Sequence, residues 1–258
     1  MSAAVDGTDG FWGQLRPHTQ ARIGLGHTGD ALPTRRLLEL REAHALARDA
    51  VHTPLAVDEL LRGLAGLGLG DPIQVTSRAN GREVYVRRPD LGRLPGWTTP
   101  PAESGADIGI AVMDGLSSRA LAEHGVGLVE ALRDELRDRY TIAPPVLVTQ
   151  ARVALGDHIA QALGVSTMLV IIGERPGLSV ADSLGIYLTH RPRPGLADSA
   201  RNCISNIHPP DGLGYRTAAQ TAARLIAGAR ALGESGVRLK DTGPALDAGG
   251  SPAALETV

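Results

Sequence analysis

The chain has 258 residues, 43% of them hydrophobic, enough for one large domain or two modest ones to bury a core. Its 26 basic and 28 acidic side chains leave a net charge of −2, so no global field exists to hold a nucleic-acid backbone or an anionic membrane. One Phe, two Trp and four Tyr are too few for a base-stacking surface, and the single Cys excludes an internal disulfide or a Cys-cluster metal site. A lone Cys also suits a reducing compartment. The longest apolar run, Met168 to Ile172, is far too short to span a bilayer, and the N-terminus lacks the charged-then-apolar order of a secretion signal. The expectation is a soluble, intracellular protein with no nucleic-acid or membrane partner.

Residues 1–10 and 242–258 lack periodicity and are expected to be flexible. Pro95 to Gly105 reads as a linker between an N-terminal helical and hairpin region (11–104) and a larger domain (105–241). Within the first region, Gly24-Leu-Gly26-His-Thr-Gly29 matches the dinucleotide fingerprint. No apolar strand precedes it, and Pro33 blocks the helix it should open, so a structural glycine loop is the favoured reading. Thr34 is placed as the N-cap of a helix running to about Ala50, with Leu37, Leu38, Ala45 and Leu46 at helical spacing. A second helix covers Val57 to Leu64 and stops in the glycines of 66–70. Ile73 to Val86 alternates around Asn80-Gly81 and predicts a β-hairpin.

Beyond the linker, Ile108 to Met113 is an apolar run too short for a core helix and reads as a buried strand. Ser117 or Ser118 caps a long helix carrying Leu121, Leu128, Leu132 and Leu136. A strand (145–149), a helix (157–163), a strand (167–172), a further strand (185–189) and a helix (217–232) follow. Strands that are nearly all apolar and alternate with helices predict an α/β domain with a Rossmann-like parallel sheet covered on both faces.

In such a sheet, ligands bind outside the carboxyl ends of the strands. That rule places Asp114-Gly115, Ala151-Arg152-Val153 and Gly173-Glu174-Arg175-Pro176-Gly177 on one rim. The third loop sets a carboxylate and a guanidinium where the sheet opens, on a turn stiffened by Pro176; an ordinary surface Glu–Arg turn explains the same residues. The first strand ends in one Gly and an acid, Asp114, where a pyrophosphate would lie, which disfavours a nicotinamide dehydrogenase. The histidines are scattered without metal spacing, and no Ser–His–Asp arrangement is legible. Cys203 lies in the polar stretch Arg201-Asn-Cys-Ile-Ser-Asn206 and reads as a small buried hydrophobe. The arginines of the last helix, Arg216, Arg224 and Arg230, read as a solvated or subunit-facing surface. On residues alone, the chain is a ligand-binding α/β domain without a catalytic constellation.

Several strings carry more. Gln20-Ala-Arg22-Ile-Gly-Leu-Gly26, Tyr85-Val-Arg-Arg-Pro-Asp-Leu-Gly92, Val153-Ala-Leu-Gly-Asp157, Ile172-Gly-Glu-Arg-Pro-Gly-Leu178, Asp182-Ser-Leu-Gly-Ile-Tyr187 and Arg201-Asn-Cys-Ile-Ser-Asn-Ile207 occur in this order. Together they closely resemble the small (light) subunit of ethanolamine ammonia-lyase, from about residue 16 to Asp241. The resemblance implies an adenosylcobalamin-dependent lyase that converts ethanolamine to acetaldehyde and ammonia, with the catalytic groups on a large subunit. It implies that this chain closes over the cofactor at the subunit interface and supplies no cobalt ligand. The family's cofactor contacts carry over to Val153, Glu174 and Cys203, with Arg175 and Asn202 as positional second choices. It further implies a cytoplasmic location, in some relatives inside a bacterial microcompartment entered by an N-terminal extension. Here Phe11, Trp12 and Leu15 would form one turn of an apolar stripe. The competing reading is a non-catalytic, small-molecule-binding regulatory module with a Rossmann-like fold, needing no partner enzyme.

Overall fold

Every backbone N–H and C=O drawn into an apolar core needs a partner, and the apolar runs of the second half of the chain find theirs in one six-stranded sheet. The computed structural model describes residues 7–243. In chain order its elements are α1 (Gly7–Leu15), α2 (Thr34–His52), α3 (Val57–Ala65), β1 (Ile73–Thr76), α4 (Arg82–Arg87), β2 (Ile108–Met113), α5 (Ser118–Leu136), β3 (Val146–Thr149), α6 (Leu155–Leu163), β4 (Thr167–Gly173), β5 (Leu184–His190), β6 (Asn202–Ile207) and α7 (Tyr215–Leu232). Residues 7–10, expected to be flexible, fall in α1. The rest of that lead and the tail from 244 onward lie outside the described residues.

The strand order is β1-β3-β2-β4-β5-β6. The first four strands are parallel, but β5 runs antiparallel to β4, and β6 antiparallel to β5. The fold class is therefore α/β with a mixed sheet, a correction to the all-parallel expectation. The connection from β4 to β5 contains no helix, so the chain turns back at the β4 rim instead of crossing over the sheet.

The expected hairpin at 73–86 is also corrected. Its first half is β1, which pairs with β3, and its second half is the short helix α4. Gly81, with φ of +92°, turns the chain into α4 instead of closing a hairpin. What overrides the alternating pattern is Tyr85. Its ring is fully buried, its hydroxyl donates to the Ala151 carbonyl at 2.8 Å, and the guanidinium carbons of Arg82 and Arg152 sit 5.0 and 4.9 Å from its ring centre.

Two apolar cores flank the sheet. On one face, α3, α5 and α7 cover Ile110, Val112, Leu169, Ile171, Ile186 and Leu188. On the other, α6 covers Ala111, Met113, Val148, Met168 and Val170. Coverage is uneven. α7 packs across β5 and β6 on the first face, while α6 on the second packs mainly on β2 and β4. Over β5 and β6 the second face is covered in part: Gly185 and Thr189 are buried and Tyr187 is half-buried, while Cys203 is exposed.

The helix readings hold with local adjustments. Ser117 caps α5, its Oγ accepting from Ala120 N at 3.1 Å. Thr34 lies inside α2, whose cap position is Pro33 and carries no side-chain cap. The expected apolar stripe of α2 stays largely in solvent: Leu37, Leu38 and Leu46 are exposed, and only Ala43 and Ala50 are buried. The helix approaches α5 through small residues. Among the described residues, no helix is long and apolar enough to cross a membrane.

Candidate functional site

The rim of the sheet is shaped first by its glycines. Gly115 (φ +56°) and Gly173 bring the turn after β2 against the end of β4 so closely that a Cβ on either would lie 2.1 Å from a backbone oxygen. Leu116 N closes the contact by donating to Gly173 O at 3.0 Å. Asp114, almost fully buried beside this turn, accepts from Gln150 N at 2.8 Å and Ala151 N at 3.1 Å, and Arg82 lies 3.3 Å away. Burial raises its carboxyl, opposed by the Arg82 charge and by those amide donors. The Asp114 carboxylate thus occupies the amides at the start of the β3–α6 loop. The Gly24–Gly29 loop is held at its first end, where Arg16 donates to Ile23 O and Gly24 O and Trp12 packs where a Gly24 side chain would stand, while Gly26 to Gly29 are exposed.

Glu174 follows directly from β4. Its Oε2 accepts from Ser183 Oγ at 2.8 Å and from Asn206 N at 3.2 Å, while Oε1 lies beside Gly185, whose Cβ would stand 3.1 Å from it. Oε1 has no hydrogen-bond partner among the described residues. The amide that reaches Glu174 comes from Asn206, which sits at φ +61° where β6 slips register against β5. Glu174 is therefore half-buried and oriented, with one oxygen free at the open sheet face.

Cys203 lies on that same open face. It is the cross-strand partner of Tyr187, whose hydroxyl favours the thiolate. The expectation of a buried Cys is corrected: Cys203 is exposed, because β6 is an edge strand and α6 stops short of it. Withdrawal from water by its close neighbours still pushes the thiol up; the Glu174 charge adds to this and the Tyr187 hydrogen bond opposes it. Burial, with Cys203 and Glu174 nearby, pushes the Tyr187 phenol up to about 12. Tyr187 was missed in the sequence because one Tyr in an apolar strand carries no signal of its own.

Val153, at the entrance to α6, is half-buried and packs with Tyr187 against the rim of the second core. Its loop is pinned from the N-terminal region: Tyr85 bonds Ala151 O, and Arg152 N donates to Gly92 O at 2.8 Å. Gly92 is required there, since a Cβ would lie 2.8 Å from the Tyr85 ring. The loop beyond Glu174 is strapped in the same way. Arg22 donates to Leu178 O at 2.9 Å, and Ser179 Oγ donates to Gln20 O at 2.9 Å. The second-choice residues divide. Arg175 is exposed on the rim, whereas the Asn202 amide is engaged with Gly236 and Leu239.

The histidines are less scattered in space than in sequence. Glu123, His124 and Asp182 each bring a potential ligand atom within 4.8 Å. Arg119 already neutralises the carboxylates, donating to Glu123 at 2.7 Å and lying 3.6 Å from Asp182. His124 Nδ1 lies 2.6 Å from the Tyr215 hydroxyl. Two of the arginines read as solvated are ion-paired within the chain: Arg224 with Asp241 at 2.8 Å and Arg230 with Asp107 at 3.2 Å.

The comparisons with known proteins agree on one assignment. The family model described as ethanolamine ammonia-lyase light chain matches residues 9–240. The chain is 59% identical over 232 residues to the ethanolamine ammonia-lyase small subunit of Rhodococcus erythropolis, covering 90% of both sequences. It is 44% identical to that of Azotobacter vinelandii, over 97% of this chain and 96% of the relative. To that of Ralstonia nicotianae it is 43% identical, over 94% and 93%. The chain belongs to the ethanolamine ammonia-lyase small-subunit family.

Proposed function

We propose that this chain is the small subunit of an adenosylcobalamin-dependent ethanolamine ammonia-lyase, covering the cofactor where it meets a large catalytic subunit. The observation that carries the reading is the half-open sheet face, on which Glu174, Tyr187 and Cys203 lie together and to whose edge α6 brings Val153. A corrin ring is an apolar macrocycle fringed with amides. The face suits it in both respects: Gly185 leaves the floor beside Glu174 without a side chain, and Glu174 Oε1 is a free charged acceptor.

When bound, the cofactor supplies the radical chemistry; the protein contributes binding, orientation and exclusion of side reactions. Glu174 accepts amide N–H bonds from the ring's fringe, each charge-assisted and worth about 1.5–3 kcal/mol. Val153 and Cys203 exclude water from the ring edge. The Tyr187 phenol and the Cys203 thiol both keep their protons at neutral pH, so Glu174 is the only charge among these four residues. A cover that binds the cofactor and leaves the reacting groups to the large subunit accounts for a sequence in which no catalytic constellation is legible.

The test is reconstitution. Mixed with the large subunit, the chain should support ammonia release from ethanolamine only when adenosylcobalamin is present, and neither chain should do so alone. Full turnover by the large subunit without this chain would refute the reading.

A further inference from the structure

The geometry points to the buried Asp157–Arg201 pair as the positioning element that sets the width of the cofactor face, an inference that rests on the function proposed above. Arg201 NH1 and NH2 donate to Asp157 Oδ1 and Oδ2, each at 2.7 Å, and NH1 also donates to Thr189 Oγ1 at 2.9 Å. Both side chains are almost completely buried, at 2% and 1% exposure. Asp157 belongs to the first turn of α6, and Arg201 immediately precedes β6.

Two sequence intervals give the pair its meaning. Val153 lies about one helical turn before Asp157 on the same chain segment. Cys203 lies two residues after Arg201, and Tyr187 two before Thr189, so each shares a strand face with its neighbour. The Tyr187–Cys203 pair therefore lies on the same face as, and next along the strands from, the Arg201–Thr189 side-chain hydrogen bond that leads to α6. The main packing of α6 is on β2 and β4, so the Asp157–Arg201 pair is a bidentate, buried link from the helix to this half of the sheet. The pair moors the helix carrying Val153 to the strand carrying Cys203 at the line where the covered face gives way to the open one.

A buried ion pair is poor evidence of stability, because apolar residues of similar volume commonly replace one without loss; its better-attested use is to fix register. Here Arg201 Nε has no hydrogen bond and faces the exposed Asp198 carboxylate at 3.6 Å, so the pair's strong contacts are the two to Asp157.

The test uses the complex with the large subunit and adenosylcobalamin binding by equilibrium dialysis. In the double variant Asp157→Leu/Arg201→Met, cooperative unfolding of the free chain should persist while the Kd rises about ten-fold, the scale carried by residues that orient a bound group's contacts. A folded double variant that binds as tightly as the natural chain overturns the proposal. If that variant does not fold, Arg201→Lys keeps the charge but loses the bidentate fork, and the same rise is required of it. Glu174→Ala measured in parallel separates the two claims. If it leaves the Kd unchanged, the cofactor reading fails and the mooring is judged by hydrogen exchange in the cofactor-free chain. There the amides of 151–156 and 202–206 should lose protection together in whichever pair variant folds, and unchanged protection overturns it.

Discussion

The Cys203 thiol faces solvent from an edge strand, yet its surroundings hold the proton on it: crowding and the Glu174 charge raise its titration, and the Tyr187 hydroxyl only partly offsets them. Alkylation of the free chain by iodoacetamide, followed against pH, should inflect above the ordinary Cys value of about 8.5. Tyr187→Phe removes the one group that favours thiolate, so the inflection should move higher still; an inflection below 8.5 in the natural chain would contradict this. Asp114 makes a sharper energetic case. Its carboxylate faces Arg82 and accepts from two backbone amides, and the two side chains are only 2% and 13% exposed. Asp114→Ala would therefore remove the counter-charge of Arg82 and leave the Gln150 and Ala151 amides without their acceptor. Chemical denaturation should show a loss of about 3–5 kcal/mol, the cost of leaving one member of a buried pair alone. A loss below about 1 kcal/mol would mean that solvent reaches Arg82.

Among the elements, legibility followed burial. β2 and β4 are buried at every position and read directly from their unbroken apolar runs. β6 was missed because an edge strand with one open face buries only Ile204 and Ile207, leaving a sequence that looks like a polar loop. The hairpin was wrongly read because Val84, Tyr85 and Val86 suit a strand by propensity, whereas the pocket between Arg82, Arg152 and the Ala151 carbonyl decides their conformation. The reversal of β5 had no sequence signal, since strand direction depends on a connection whose path is set by tertiary contacts. The turn that joins the β2 and β4 rims depends on Gly115. Gly115→Ala combines positive φ with a 2.1 Å clash against Gly173 O, and should cost about 3 kcal/mol in denaturant unfolding. A neutral substitution would show that the two rim loops are not locked together.

At the level of the whole molecule, the rim carrying Glu174 followed from the rule that ligands gather at strand carboxyl ends. The place of Cys203 did not follow, because it depends on β6, which periodicity could not reveal. The same rule places Val153 and Glu174 on the rim and the family resemblance singles them out, whereas Cys203 comes from the resemblance alone; the Asp157–Arg201 pair links the helix after Val153 to the strand of Cys203. The motif strings away from these residues also have a structural role. Gln20 and Arg22 strap the loop beyond Glu174, and Tyr85 and Gly92 hold the loop before Val153. The N-terminal region thus braces the rim, although β1 is the only strand it adds to the sheet.

The most direct measurement is the affinity for adenosylcobalamin of the complex assembled with Glu174→Ala. Loss of a charge-assisted acceptor worth at least about 1.5 kcal/mol predicts binding weaker by ten-fold or more, with assembly of the two subunits unchanged. Wild-type affinity in that assembled variant would mean that the cofactor does not lie against the β4 rim.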